Sequence, residues 1–500
     1  MPRTTVSHKL FDPDRWGVPA EAVAALGDDL YRFWHRFRPC FRTRTRDPSL
    51  QAYTYLRGQL TMHDERNFAN IDRRLNRGDG QALQHFMSDS PWHGPAVFRQ
   101  IRHDITAHPA LQHGGVLVLD ESADEKAGLH SAGAGRQYNG RLGKVDVCQV
   151  AVTLAYAHPA TGTWALVDGE LFLPEAWFGD DYAPLRQSLG IPEERTFATK
   201  PDLGLQMIRR VRAQGLPFDF VACDDLYGRH RGFRAALEAE GLQYAAEVPA
   251  DTQVYLQPPT IGVPSRRAKA GRPPTRWQVR SRHKPREVRQ LARDPQTVWH
   301  HVRVCHTERG VLEADFAVFH VWTLTDEGQV QREWLVIRRD ADGKRTFTLL
   351  KAPVETPPSV LMERSCQRYF TERTYQDAKT ELGWDEFRAQ KYRAWEHHLA
   401  LTAAALWFVA EVKLTWRERY ARDPDLLRQL EVELLPALST ANVRELLRAV
   451  LPVPHLTPDQ ARQLVATHLV RRARSTSSRL KSQRAWEHSL FLNRQSSKTL

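Results

Sequence analysis

A chain of 500 residues is too long for one ordinary core and predicts roughly two to four domains. Its 41% apolar and 26% charged residues are the composition of a globular protein, and 71 Lys and Arg against 59 Asp and Glu leave a formal charge of +12 that favours a polyanionic partner, nucleic acid first. The five scattered cysteines (Cys40, Cys148, Cys223, Cys305, Cys366) form no Cys-x-x-Cys pair, which argues against a disulfide framework and a structural zinc site and points to a reducing cytoplasm.

No apolar run reads as a membrane span, and the opening Met1-Pro2-Arg3-Thr4-Thr5 has no secretory leader. Residues 20–110 read as mostly helical. Val23, Leu26, Leu30, Phe33, Trp34 and Phe37 fall at helical spacing within 20–37, a second pattern runs over 50–75, and a third starts near Gln81. Basic residues interleave throughout (Arg32, Arg36, Arg38, Arg42, Arg44, Arg46, Arg57, Arg66, Arg73, Arg74). A helical DNA-binding module and a solvated helical cap explain this equally well.

The text changes at Gly114-Gly115-Val116-Leu117-Val118-Leu119-Asp120, an apolar strand with a carboxylate at its tip. A Gly-rich polar link follows over 127–140 and lacks the Gly-Lys-Ser/Thr ending of a phosphate loop. Residues 145–156 and 163–173 read as a hairpin joined by His158-Pro159-Ala160-Thr161-Gly162. A helix over 202–214 leads to Phe218-Asp219-Phe220-Val221-Ala222-Cys223, a second apolar strand ending in acid at Asp224-Asp225. A helix over 233–240 and a strand over 243–248 complete the order β, β-hairpin, helix, β, helix, β. That is the order of an RNase H-like core, with acids closing its first and fourth strands.

Residues 250–355 interrupt this pattern. The stretch 263–293 holds eleven Lys and Arg against one Glu and four prolines, and reads as extended and basic, without a core. Four strands follow over 298–305, 315–324, 332–338 and 345–350, with Asp342-Gly343 turning the last pair. Trp299, Trp322 and Trp334 lie among them. Each is first a candidate for the core of a small sheet, and second a platform for a base. Residues 359–381 then read as one helix ended by Gly383, and 392–418 as a buried helix. The tail from Pro424 is helical and basic, with Arg471, Arg472, Arg474, Arg479, Lys481 and Arg484 near its end. It suits DNA contact or a dimer contact.

Within 359–381, Arg368, Glu372 and Lys379 stand at spacings of four and seven. At about 100° per residue both spacings return to within about 40°, so the three share one helix face. Alone, such a pair is an ordinary surface salt bridge. Beside Asp120 and Asp224 it gains another meaning. Two strand-end aspartates and a helix glutamate are an oxygen ligand set for hard cations, and two Mg²⁺ ions about 3.5–4 Å apart suit in-line phosphoryl transfer. Glu121, Asp124, Asp225 and Glu381 are neighbouring acids that read as solvated charges.

The pattern resembles the bacterial insertion-sequence transposases of the DDE class with a Tyr-x2-Arg-x3-Glu-x6-Lys signature. Arg368, Glu372 and Lys379 match, while Ser365 stands where that signature has tyrosine. Val118-Leu119-Asp120-Glu121, Gly135-Arg136-Gln137-Tyr138, Gly143-Lys144-Val145-Asp146, Cys148-Gln149-Val150-Ala151-Val152, Asp224-Asp225-Leu226-Tyr227-Gly228, Trp334-Leu335-Val336-Ile337-Arg338-Arg339 and Lys379-Thr380-Glu381-Leu382-Gly383 carry the rest of the likeness, over roughly residues 50–415.

The resemblance implies an α/β multidomain protein with five parts. They are a helical N-terminal DNA-binding domain (1–112), the first part of an RNase H-like core (113–250), a basic linker with a β-rich insertion (251–356), the second part of the core (357–420) and a helical basic C-terminal region (421–500). It implies Asp120, Asp224 and Glu372 as catalytic residues and ligands of two Mg²⁺, with Mn²⁺ as a substitute. Arg368 and Lys379 are implied as phosphate contacts. Trp299, Trp322, Trp334, Arg266, Arg267, Lys269, Arg272 and Arg276 are further expected DNA contacts. The implied activity is cut-and-paste excision and strand transfer, with a possible DNA hairpin, by a homodimer that holds terminal inverted repeats and target DNA without a membrane. A catalytically inactive DNA-binding relative and another RNase H-like nuclease are the competing readings.

Overall fold

In the computed structural model, a ten-stranded sheet is built around strand β1 (Val116–Glu125). The structure describes residues 10–481 apart from 141, 265–274, 308–309, 455–456, 461, 464, 468, 471, 475 and 479. The apolar run that opens β1 is buried, with Val116 at 2% and Leu117, Val118 and Leu119 at 0% exposure. A strand buried on both faces needs such a continuous run.

Around β1 lie β2 (Gly135–Asn139), β3 (Lys144–His158), β4 (Thr163–Phe172), β5 (Phe220–Cys223) and β6 (Tyr244–Glu247). β3 is antiparallel to β1 and carries β4, while β5 and β6 run parallel to β1 on its other side. The order β4-β3-β1-β5-β6 is that of the RNase H-like fold. The strand β2 falls on the expected polar link. It forms by ladder pairing with residues 144–148 of β3, and so carries no apolar run to betray it.

The helical N-terminal part comprises α1 (Ala20–Phe41), α2 (Ser49–Thr61), α3 (Gln81–Ser88) and α4 (Gly94–Ala107). The pattern over 50–75 breaks after Thr61. Glu65 takes a positive φ of 52°, and Asn67 caps a new turn by accepting from Asn70 N at 3.1 Å. The basic face is only in part a surface. Arg66 is 4% exposed, pairs with Glu386, and donates to the carbonyls of Thr380 and Glu381. Buried in this way, it holds the helical part against the segment carrying Lys379.

Helix α5 (Lys200–Ala213) connects β4 to β5 and starts from a Thr199–Asp202 capping box. Helix α6 (Arg231–Ala239) precedes β6. Beyond β6, strands β7 (His300–Thr307), β8 (Gly310–Leu324), β9 (Val330–Arg339) and β10 (Arg345–Lys351) continue the same sheet, because β10 pairs with β6 from Thr348↔Glu247 to Lys351↔Tyr244. The strands expected as a separate small sheet are therefore an extension of the central one. The described flanks of the basic segment also differ from the coreless reading. Val254, Val288 and Leu291 are buried with Ala317, Val321, Leu335, Ile337 and Leu349. Val288 and Leu291 sit three apart on one turn, which gives that turn an apolar side.

The expected single helix over 359–381 is broken into α7 (Pro358–Arg364), a tight turn, α8 (Tyr369–Gln376) and a π-helical turn over Asp377–Glu381. The Ser365 hydroxyl donates to Met362 O at 2.6 Å, and the following amides of Cys366 and Gln367 bond three residues back. Such bonds tighten and bend a helix. Helix α9 (Tyr392–Arg419) has 28 residues and is long and apolar enough to cross a membrane by length and composition. Its apolar window is 83% buried inside the protein, which makes it the central core helix. Helix α10 (Thr440–Val450) docks on the core through Thr440, which donates to Asp377 Oδ2 at 2.6 Å, and Arg444, which donates to Leu60 O at 3.1 Å.

Candidate active site

Two of the three expected acids are brought together by strand register alone. Leu119 pairs with Cys223, so Asp120 and Asp224 follow side by side on adjacent parallel strands. The next ladder continues the row, since Cys223 pairs with Ala246 and Glu247 comes next. Three carboxylates thus stand level on β1, β5 and β6. Asp120 Oδ1 accepts from Glu121 N at 2.7 Å, and Asp224 Oδ1 accepts from Leu226 N at 3.0 Å, capping the short turn after β5.

Glu372 arrives from α8, which packs across β1. Its carboxylate is 60% exposed and does not close on the aspartates. Among the described residues no three His, Cys, Asp or Glu are placed to grip one metal ion. The Arg368 guanidinium stands between them instead. It reaches Glu372 Oε1 at 2.9 Å, Asp120 Oδ2 at 3.4 Å and Glu247 Oε1 at 3.2 Å. The expected shared face of Arg368 and Glu372 is thus observed. Lys379, displaced by the π turn, donates to Ala123 O at 3.4 Å, three residues along β1 from Asp120.

Electrostatics mark this as a place short of positive charge. Burial, then the neighbouring Asp224, push the Asp120 carboxyl up to about 8, with Arg368 opposing. Burial, then Asp225 and Glu121, push Asp224 up to about 6. Like charges held close in a poorly solvated site cannot both ionise cheaply. A hard divalent cation is the partner such an all-oxygen, mutually repelling set lacks, so the donor chemistry fits one.

A pH prediction follows. Both folded values lie above the ordinary carboxylate range, so the contribution of these groups to stability is complete below about pH 4 and is lost as pH rises toward 8. Asp120→Asn should therefore gain stability relative to wild type between pH 5 and pH 8, both in chelator, because the wild-type protein alone must hold or ionise the buried carboxyl. Denaturant midpoints at the two pH values check this, and an equal difference at both would contradict it.

The other expected contacts are dispersed. Trp299 lies under Arg339, whose guanidinium carbon is 4.3 Å from the ring centre. Trp334 lies against His320 with centroids 3.4 Å apart and ring planes tilted by 34°, and Trp322 pairs across the ladder with Arg332. His320, Trp322, Arg332 and Trp334 share one face of the β8–β9 pair. Arg276 is exposed, whereas Arg266, Arg267, Lys269 and Arg272 lie outside the described residues, as do Arg471, Arg479 and Arg484 of the tail. Glu121, expected as a solvated charge, pairs with Lys200.

Sequence reasoning missed Glu247, although its signal was present: Tyr244-Ala245-Ala246-Glu247 is a third short apolar strand tipped by acid. It also missed Tyr375, whose hydroxyl is 2.7 Å from Thr153 Oγ1, the residue paired with Asp120. Only the crossing of α8 over β3 discloses that contact.

An RNase H-like sheet with aspartates side by side, one within its first strand and one just past its fourth, and a glutamate on a crossing helix, defines the class of nucleases that handle phosphodiesters with carboxylates. The chain belongs to the DDE superfamily endonucleases, whose family model matches residues 36–310. It is also 25% identical over 247 residues to a probable transposase for insertion sequence element IS701 from Microchaete diplosiphon. That similarity covers 48% of this chain and 58% of the relative's length.

Proposed function

We propose that this protein is a DNA transposase that excises an insertion sequence and joins it to target DNA. The observation that carries the proposal is the register placing Asp120 and Asp224 side by side, with Glu372 joined to Asp120 through Arg368. Membership of the endonuclease family and the similarity to a probable insertion-sequence transposase support it.

Asp120, Asp224 and Glu372 would hold two Mg²⁺, or Mn²⁺ in their place. Bound there, the ions supply Lewis-acid activation of water and stabilisation of the leaving oxygen. The chain's own groups do the rest. The register of β1 against β5 holds Asp120 and Asp224 at one height. Arg368 and Lys379 hold phosphate oxygens beside the scissile bond through N–H donors that need no metal. Trp334 and its neighbours Trp322 and Arg332 offer a face for DNA near the insertion strands, and Trp299 a third tryptophan. The N-terminal and C-terminal regions, 1–112 and 421–500, would hold the element's inverted repeats, and two copies would pair the ends, with a hairpin intermediate as one route to double-strand release.

The test uses the full chain with Mg²⁺ and duplexes carrying the inverted repeats that flank its gene. Nicking at the element end, leaving a 3′-OH, is the expected outcome. Cleavage of RNA–DNA hybrids in preference to those ends would replace transposition with a different nuclease activity. Binding to the ends should also weaken steeply with salt, by about 10³-fold or more between 50 and 200 mM if six or more phosphates are contacted. A salt-indifferent affinity in a filter-binding series would refute the basic contact surface.

A further inference from the structure

Glu247 has a more constrained setting than a surface acid. Ala246 is held by Cys223 of β5 on one side, and Glu247 itself by Thr348 of β10 on the other. Its carbonyl packs against the turn after Asp224 so closely that a Cβ on Gly228 would lie 1.8 Å away. Its carboxylate is 21% exposed and takes Arg368 Nε at 3.2 Å. The two terminal nitrogens of the same guanidinium face Asp120 and Glu372. A guanidinium is a rigid planar fork, so a partner on Nε fixes the direction of the other two nitrogens.

We infer that Glu247 is the positioning residue for Arg368, holding the guanidinium beside Asp120 and Glu372 when those two carboxylates turn to a divalent cation. The inference rests on the reading of Asp120 and Glu372 as cation ligands. A cation between them competes with the terminal nitrogens of Arg368 and leaves the Nε–Glu247 contact intact. The released nitrogens then become donors for a phosphate, and Arg368 stays in place. Without Glu247 the guanidinium has Asp120 and Glu372 as its remaining partners, and it competes harder with the cation. Strand β10, from the β-rich segment, thus acts on the site through Glu247, a coupling that no local motif announces.

The test is Mn²⁺ titration by calorimetry, without DNA, on wild type, Glu247→Gln, Arg368→Ala and the double variant. Glu247→Gln should weaken Mn²⁺ binding about tenfold, the lower end for an outer partner of a metal ligand. Arg368→Ala should tighten it, and the double variant should match Arg368→Ala within about twofold, because Glu247 acts through Arg368. Glu247→Asp, which keeps the charge and shortens the reach, should shift binding in the same direction as Glu247→Gln. It decides the matter should Glu247→Gln fail to fold. No change in Glu247→Gln, or an equal loss with and without Arg368, overturns the inference; the second result makes Glu247 a direct ligand. Asp120→Asn serves as the separate control. Mn²⁺ binding that survives it refutes the cation site itself, and leaves the Arg368–Glu247 pairing to be judged on its own.

Discussion

Replacing Asp120 with Ala should abolish metal-dependent cleavage of the element end, with a loss of about 10³-fold or more in single-turnover rate and little change in DNA affinity. Asp120 is the one expected ligand that lies inside a strand paired on both sides, with Thr153 opposite it in β3 and Leu119 beside it locked to Cys223. It is 7% exposed, so it contributes almost nothing to a DNA surface, and its substitution removes charge from the site while leaving the basic surfaces untouched. As a proposed cation ligand beside Asp224, Asp120 would be needed for the metal-assisted step itself, so its loss would fall on the chemistry and not on binding. Gel-shift and cleavage assays on the same duplex separate binding from chemistry. Cleavage by Asp120→Ala at anything near the wild-type rate would remove Asp120 from the site, and a parallel loss of DNA binding would make its role structural.

The second large effect is on stability. Glu333 of β9 is 0% exposed and accepts from Arg234 Nε at 3.1 Å, from the Tyr244 hydroxyl at 2.6 Å and from the Thr323 hydroxyl. Arg234, 3% exposed, also donates to Gly228 O. One buried ion pair thereby ties the added strands to α6, to β6 and to the turn that follows Asp224. Removing one partner strands the other charge in the interior, which costs about 3–5 kcal/mol. Glu333→Ala should therefore lower the unfolding transition markedly in calorimetry. The double change Arg234→Met with Glu333→Leu should recover most of the loss, since no charge is then left unpaired. A Glu333→Ala protein as stable as wild type would show that solvent reaches the pair.

The acids were legible because a buried strand segment is a short apolar run, and a carboxylate closing such a run is conspicuous, even where, as at Asp120, the strand itself continues to Glu125. Asp120 and Asp224 were found this way, and Glu247 carried the same mark unread. Arg368 and Glu372 were legible as an i, i+4 pair, and that pair survives across the start of α8, where Arg368 is the capping residue. The break at Ser365 was not foreseen, because a serine hydroxyl bonding back to Met362 O is one of several conformations its sequence allows. Arg66 illustrates the opposite failure. Among ten interleaved basic residues it reads as surface, yet its burial follows from Glu386, which is 320 positions away.

The sequence by itself determined most of the local elements, the RNase H-like strand order, the acids that close apolar runs and the excess of positive charge. These depend on neighbours within a turn or along a strand, and such interactions leave periodic traces. The tertiary structure alone decided which acids stand level, that Arg368 lies between Asp120, Glu247 and Glu372, and that the strands after residue 298 extend the central sheet. Each of these depends on pairing between residues tens to hundreds of positions apart. Ladder register and the packing of α8 across β1 fix those pairings, and neither leaves a period in the chain.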